Sequence, residues 1–174
     1  MYTVKKVAGE GSRSLFYKLN QRGKGFKTFL DRHDAEYARD VQLELSRLDL
    51  APRVYSEVGR IRIGDRLSRW GYVTEVAKVI TPHSISCNCY SCDNLENVYE
   101  EEIGELQERI ERAGYYFGDA HTGNVGYITR NCKKIMVCID TGEESVQPYE
   151  SDGDYDAYSC NCNECRKYRE EQYA

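Results

Sequence analysis

The loop Gly118-Asp119-Ala120-His121-Thr122-Gly123-Asn124 and the run Val137-Cys138-Ile139-Asp140-Thr141-Gly142 constrain this chain more than any other feature. Between them lie two β-prone stretches, 125–128 and 135–139, with 129–134 as the turn that joins them. A hairpin returns the chain to where it began, so Asp140 must finish beside the loop that carries Asp119 and Asn124. Two carboxylates and one amide then surround one point. Magnesium takes oxygen ligands of this kind. Phosphoryl transfer needs little more from a protein than ions on the phosphates and a carboxylate near the attacking group. Read alone, Asp119 and Asn124 would also suit an ordinary turn, and Asp140 the end of a strand.

The elements around this loop can be read from periodicity. Leu15-Phe16-Tyr17-Lys18-Leu19 and Gly25-Phe26-Lys27-Thr28-Phe29 are short β-prone runs, and 20–24, with Gly23 inside, is the hairpin loop between them. Ala38, Val41, Leu45 and Leu48 then recur at helical spacing, with Asp34 as N-cap and Pro52 beyond the end. Residues 60–63 and 72–79 read as two further strands, with Gly64-Asp65 as a turn. The stretch 84–97 is polar, bears cysteines and shows no period, so it reads as loop. Ile103, Leu106, Ile110 and Ala113 mark one face of a second helix whose other face is dense in Glu and Arg. Tyr115-Tyr116-Phe117 and a loop follow. From Gly142 onward the chain is acidic, with Glu143, Glu144, Glu150, Asp152, Asp154 and Asp156, and without its cysteines it would read as disordered.

Length and charge narrow the class. A chain of 174 residues suits one domain or two small lobes, and 40% hydrophobic with 30% charged residues suits one modest core. A net charge of -5 argues against a general grip on nucleic-acid phosphates. No apolar run approaches the roughly 20 residues that span a bilayer, so no membrane partner is expected. The start, Met1-Tyr2-Thr3-Val4-Lys5-Lys6, lacks the apolar stretch of a signal peptide, which points to an intracellular, cytoplasmic location.

The Gly-Asp-x-His-x-x-Asn loop followed by Asp140-Thr141-Gly142 resembles the catalytic and metal-binding loops of the protein-kinase-like superfamily, and is nearest in form to its aminoglycoside phosphotransferase and small atypical kinase branches. The resemblance spans about residues 5 to 142. It implies an α+β, two-lobed fold: residues 1–80 as a lobe of sheet plus helix, and 81–174 as a shortened second lobe. It implies ATP and magnesium as cofactors. Asp119 becomes the catalytic base or substrate-orienting acid, and Asn124 and Asp140 become magnesium ligands. His121 would orient the loop by hydrogen bonding. Gly9-Glu10-Gly11-Ser12-Arg13-Ser14 resembles a phosphate-covering glycine loop, with Gly9 and Gly11 in place and Ser14 where the family has a third glycine. Lys27 matches the lysine that contacts the phosphates; Lys18 lies too early in the order. The family pairs that lysine with a helix glutamate, for which Glu36 is favoured and Glu44 is next. Gly71-Tyr72-Val73-Thr74-Glu75-Val76-Ala77 resembles the strand leading to the adenine-binding hinge, where backbone groups from Glu75 to Ala77 would meet the base.

Six of the eight cysteines form two copies of C-x-C-x-x-C: Cys87-Cys89-Cys92 and Cys160-Cys162-Cys165. Paired C-x-x-C knuckles close a tetrahedral zinc site. Cys89, Cys92, Cys162 and Cys165 are the simplest ligand set. Cys87 and Cys160 are alternates or ligands of a second zinc, and His83 is a further candidate. An iron–sulfur cluster or two disulfides are the rival readings. Cys132 and Cys138 fall in the hairpin as core or turn residues. Only residues 141–174 follow Asp140, too few for the family's helical subdomain. A structural zinc in the tail would replace that missing core. The expected activity is transfer of the ATP γ-phosphoryl group to a hydroxyl, on Ser, Thr or Tyr of a protein or on a small molecule. The rivals are a nucleotide-binding adaptor with a zinc tail that binds a partner, and a zinc-knuckle nucleic-acid binder.

Overall fold

The computed structural model describes residues 4–10, 14–63, 67–80 and 90–149. Five antiparallel strands come first: β1 (Val4–Glu10), β2 (Ser14–Leu19), β3 (Lys24–Phe29), β4 (Gly59–Ile63) and β5 (Leu67–Glu75). They form one sheet in the order β1-β2-β3-β5-β4. The turn between β2 and β3 needs Gly23, whose φ of 74° suits a residue without a Cβ. β1 was not legible in advance. It is an edge strand that carries Lys5, Lys6 and Gly9, a composition that blunts a sheet edge and hides the period-2 signal. Gly9 therefore lies inside β1, at a register shift between Val7 and Gly9, and not ahead of the first strand. Gly11 lies outside the described residues.

Helix α1 (Arg32–Arg47) packs on this sheet. Its N-cap is Asp31, three residues ahead of the expected Asp34: Asp34 N–H donates to Asp31 Oδ1 at 2.9 Å. Ala35 and Ala38 let the helix sit close beneath Phe29 and Tyr72. Leu48, expected on the apolar face, is the exposed C-cap, because Asp49 turns left-handed (φ 54°) and Leu50 enters the core instead. A buried Gln42 ties the helix to the sheet. It accepts from Tyr72 OH at 2.8 Å and donates to Pro52 O at 2.8 Å.

The second half is built on α2 (Tyr90–Arg112), which begins inside the stretch expected to be loop. β6 (Lys78–Val79), β8 (Val125–Arg130) and β9 (Lys133–Cys138) form a three-stranded sheet, and β7 (Tyr115–Phe117) pairs with β10 (Val146–Pro148). The expected 72–79 strand is two strands, β5 and β6, with Val76 and Ala77 between them. The break follows from Val76 N–H bonding to Gly23 O at 2.9 Å, outside the ladder. β10 lies in the acidic run that would read as disordered without its cysteines; Val146 is fully buried there and anchors the strand. The largest core joins Val41, Leu45, Leu50 and Ala51 to Ile103, Leu106, Ile110, Phe117, Val125, Met136, Cys138 and Val146. It sits where α1 meets α2 and the hairpin, so residues from both sides of position 80 share it.

Candidate functional site

The hairpin of β8 and β9 brings the loop and Asp140 together as its length requires. Val125 pairs with Cys138 at its open end, and Ile139 N–H donates to Asn124 O at 2.9 Å. Asn124 is buried, and its own N–H bonds to His121 O at 2.9 Å. Its Nδ2 donates to Asp119 O at 3.0 Å and to Asp119 Oδ2 at 2.7 Å. That orientation commits the amide nitrogen, and not Oδ1, to Asp119. Gly123 N–H donates to His121 Nδ1 at 3.0 Å, which assigns the neutral imidazole proton to Nε2, 3.6 Å from Asp119 Oδ1. His121 thus braces the loop as expected. The Asp119 side chain is 54% exposed, so its carboxylate can meet a molecule arriving from solvent.

From β3, Lys27 reaches this end of the hairpin with its side chain 7% exposed. Its Nζ donates to Asp140 Oδ1 at 3.0 Å and to Ile139 O at 3.1 Å. Burial alone would lower the Lys27 pKa, but the Asp140 carboxylate outweighs it and holds the ammonium above its ordinary value. Burial likewise pushes the Asp140 carboxyl up, while Lys27 beside it pulls it below the usual carboxylate range. The Lys27 partner differs from the expected one. Glu36 sits one turn into α1 and accepts from Arg32 Nε at 2.7 Å, exposed. Glu44 pairs with Arg47 at 2.7 Å. Ala35 and Ala38 occupy the helix face against the sheet, so the nearby carboxylate for Lys27 is Asp140.

Three further groups hold Asp140, none of them readable from the sequence. Gly142 N–H approaches its Oδ1 at 3.4 Å, and Cys138 Sγ lies 2.9 Å from its carbonyl oxygen. Burial pushes the Cys138 thiol up, which makes it a neutral core group. Thr141 is fully buried and donates to Ala38 O at 2.8 Å, latching α1 to the Asp140 turn. Replacing Thr141 with valine keeps the shape and removes this bond. Urea unfolding is expected to show a loss of about 1 kcal/mol.

At the expected hinge, Glu75 ends β5 and Ala77 lies in the link to β6. Glu75 N–H bonds to Arg53 O at 2.8 Å, so it and Val76 N–H already have partners within the protein. The Glu75 carboxylate is gripped by Arg130 of β8, a contact the sequence did not announce.

The donor set fits magnesium in chemistry: Asp140 and Asn124 supply hard oxygens, and such ions are commonly held by one or two carboxylates plus substrate phosphates. Among the described residues, no three His, Cys, Asp or Glu side chains converge as a ready-made metal centre. Cys87, Cys89, Cys160, Cys162 and Cys165 lie outside the described residues, and of Cys92 only the backbone, within α2, is described. Also among the described residues, no helix is long and apolar enough to cross a membrane.

No protein-family model and no curated protein matches this sequence. Its structure does have a solved counterpart. The kinase PK-1 of Cydia pomonella granulovirus superposes with a TM-score of 0.52 over 89% of this chain, at 10% sequence identity. The fold is kinase-like. The chain spans 58% of the length of that kinase, and identity this low speaks for the fold alone. Within this kinase-like fold, Lys27 of the five-stranded sheet meets Asp140 at the end of the β8–β9 hairpin that also carries the Asp119 loop.

Proposed function

We propose that this protein is an ATP-dependent phosphotransferase that moves the γ-phosphoryl group to a hydroxyl. The observation that carries this reading is the meeting of the Asp119–Asn124 clamp with the Lys27–Asp140 pair at the open end of one hairpin. Asp119 takes the proton of the attacking hydroxyl. The hydroxyl oxygen bonds to the γ-phosphorus as the bond to the bridging oxygen breaks, and ADP leaves. Lys27 draws the phosphates to the buried end of the cleft. Asn124 Oδ1 and Asp140 would hold magnesium, which when bound neutralises charge on the phosphates. Ala77 offers the base a backbone donor, since Glu75 and Val76 N–H are already engaged. Gly9 and Gly11 cover the phosphates, and four of the clustered cysteines, in the simplest set Cys89, Cys92, Cys162 and Cys165, bind a structural zinc, with Cys87 and Cys160 as alternates or ligands of a second. The acceptor is a protein Ser, Thr or Tyr, with a small alcohol as the rival; a peptide library run beside aminoglycosides separates them.

One observation favours a second reading, a nucleotide-binding adaptor. Lys27 receives no helix carboxylate and is bonded directly to Asp140, the group that would hold the metal. The decisive measurement is magnesium-dependent ADP release by the zinc-loaded full chain beside Asp119→Ala. The variant is expected to fall by about 10²- to 10⁴-fold, the usual worth of a positioned general base. ATP binding without turnover in the wild type would favour the adaptor; no ATP binding would remove both readings.

A further inference from the structure

Lys27 meets more than its ion-pair partner. An ammonium carries three N–H donors. Two of them go to Asp140 Oδ1 and Ile139 O, and among the described residues no acceptor takes the third. An aromatic face stands there as well. The centre of the Phe29 ring lies 5.5 Å from Lys27 Nζ, within the roughly 6 Å over which a ring attracts a cation.

The register explains this meeting. Phe29 follows Lys27 by two residues on β3, so both side chains leave the same face of the sheet. Tyr72 lies directly across from Lys27 on β5, on that face too. The Phe29 and Tyr72 rings stack, with centres 6.2 Å apart and planes 18° from parallel. Both rings are buried in one cluster with Ala35 and Ala38 of α1. Neither Glu36 nor Glu44 reaches Lys27, for each is paired with an arginine of its own helix. The two alanines take the sheet-facing side of α1 and leave depth for the rings. Tyr72 is in turn fixed to the helix, since its OH donates to Gln42 Oε1 at 2.8 Å.

We propose that Phe29, backed by Tyr72, is a positioning residue for Lys27: a neutral aromatic seat that stands in for a helix carboxylate. Its bearing on phosphate binding rests on the phosphotransferase reading above. The ring holds the ammonium by its electron-rich face and brings no formal charge. Asp140 is then the one carboxylate paired with Lys27 among the described residues, and the lysine keeps more of its charge for the phosphates.

The test replaces Phe29 alone, in the full chain, by mono-, di- and trifluorinated phenylalanine. Fluorine drains the electron-rich face and changes the size of the ring little. Urea unfolding is measured for each, beside the same series in a Lys27→Met, Asp140→Leu background that keeps an apolar pair in place of the charges. The folding equilibrium constant is expected to fall stepwise, by about 2- to 30-fold at three fluorines, as loss of a cation–π contact does. In the apolar background the steps vanish. Magnesium-dependent ADP release should follow the same order, with kcat/KM for ATP falling at each fluorine. Stability that does not change along the series would overturn the seat. Equal steps in both backgrounds would overturn it too, because the ring would then act through packing or its stack on Tyr72. Stepwise stability with unchanged kcat/KM would overturn the positioning role. If the wild type releases no ADP, the phosphotransferase reading falls, and the unfolding series still decides whether the ring holds Lys27.

Discussion

Asp140→Ala is expected to abolish turnover and to cost about 3 kcal/mol of stability, the low end of the range for removing one partner of a buried ion pair. The low end applies because Asp140 is 30% exposed while Lys27 is 7% exposed. The cost arises at Lys27, whose ammonium would remain buried with only the Ile139 carbonyl to meet it. Wild-type stability should be flat in pH across the neutral range. The Asp140 pKa is lowered on folding, so its contribution is lost only as pH falls below about 4 and through the folded value. The Lys27 pKa is raised, so its contribution is lost only as pH climbs past about 10.5 and through the folded value. Asp140→Ala should behave differently. Its unpaired lysine is destabilising while charged, so stability rises toward alkaline pH as the ammonium loses its proton. The double variant Lys27→Met with Asp140→Leu should recover most of the stability and none of the turnover, since an apolar pair avoids the desolvation cost. Urea unfolding at several pH values, beside ADP release, separates the two roles. If the double variant is as unstable as the single one, the pair matters for packing and not for charge.

The meeting of the Asp119 loop with Asp140 was the most legible part of this chain, and physics says why. Asp119, Asn124 and Asp140 are linked by a loop and one hairpin, so local spacing alone brings them together. The helix face of Ala38, Val41 and Leu45 was legible for the same reason, because period 3.6 is a local property. Lys27 was placed in its strand from the pattern around it. What it touches was not, since Asp140 is 113 residues away. Glu36 looked suitable by helical spacing, yet the register of α1 against the sheet puts alanines toward β3 and leaves Glu36 in solvent with Arg32.

The other misses also have local causes. β1 lacks alternation because edge strands carry charges, and β10 is three residues long in an acidic run. The start of α2 was hidden by Cys92 and Asn94, which weaken any helical signal, and the apolar face begins only further along. Gln42 was visible only as a polar residue on an otherwise apolar helix face, spaced four from Ala38 and three from Leu45. Such a residue is worth noting in any sequence, because burial obliges it to find partners.

Arg130→Met is expected to destabilise the fold by about 3 kcal/mol, as removal of one member of a buried charge network does. Arg130 is 12% exposed and Glu75 17% exposed. The guanidinium grips Glu75 with both ends of its fork, Nη1 to Oε1 at 2.6 Å and Nη2 to Oε2 at 2.5 Å, while Nε reaches Asp49 Oδ1 at 3.0 Å. One side chain of β8 thereby holds the end of β5 and the left-handed turn that follows α1, across sequence distances of 55 and 81 residues. Burial raises the Glu75 carboxyl, but Arg130 and the Arg53 N–H outweigh it and leave the group below its ordinary value. The clasp is therefore complete at neutral pH, and its contribution is lost as pH falls below about 4.5 and through the folded Glu75 value. Arg130→Lys keeps the charge and loses the fork, so it should restore only a minor part of the stability. A double-mutant cycle of Arg130→Met and Glu75→Gln, read by urea unfolding, is expected to give a coupling of about 2 kcal/mol that shrinks in acid. A coupling near zero at neutral pH would mean that the hinge is held by the Tyr72–Gln42–Pro52 bonds and the shared core, with Arg130 only lying alongside.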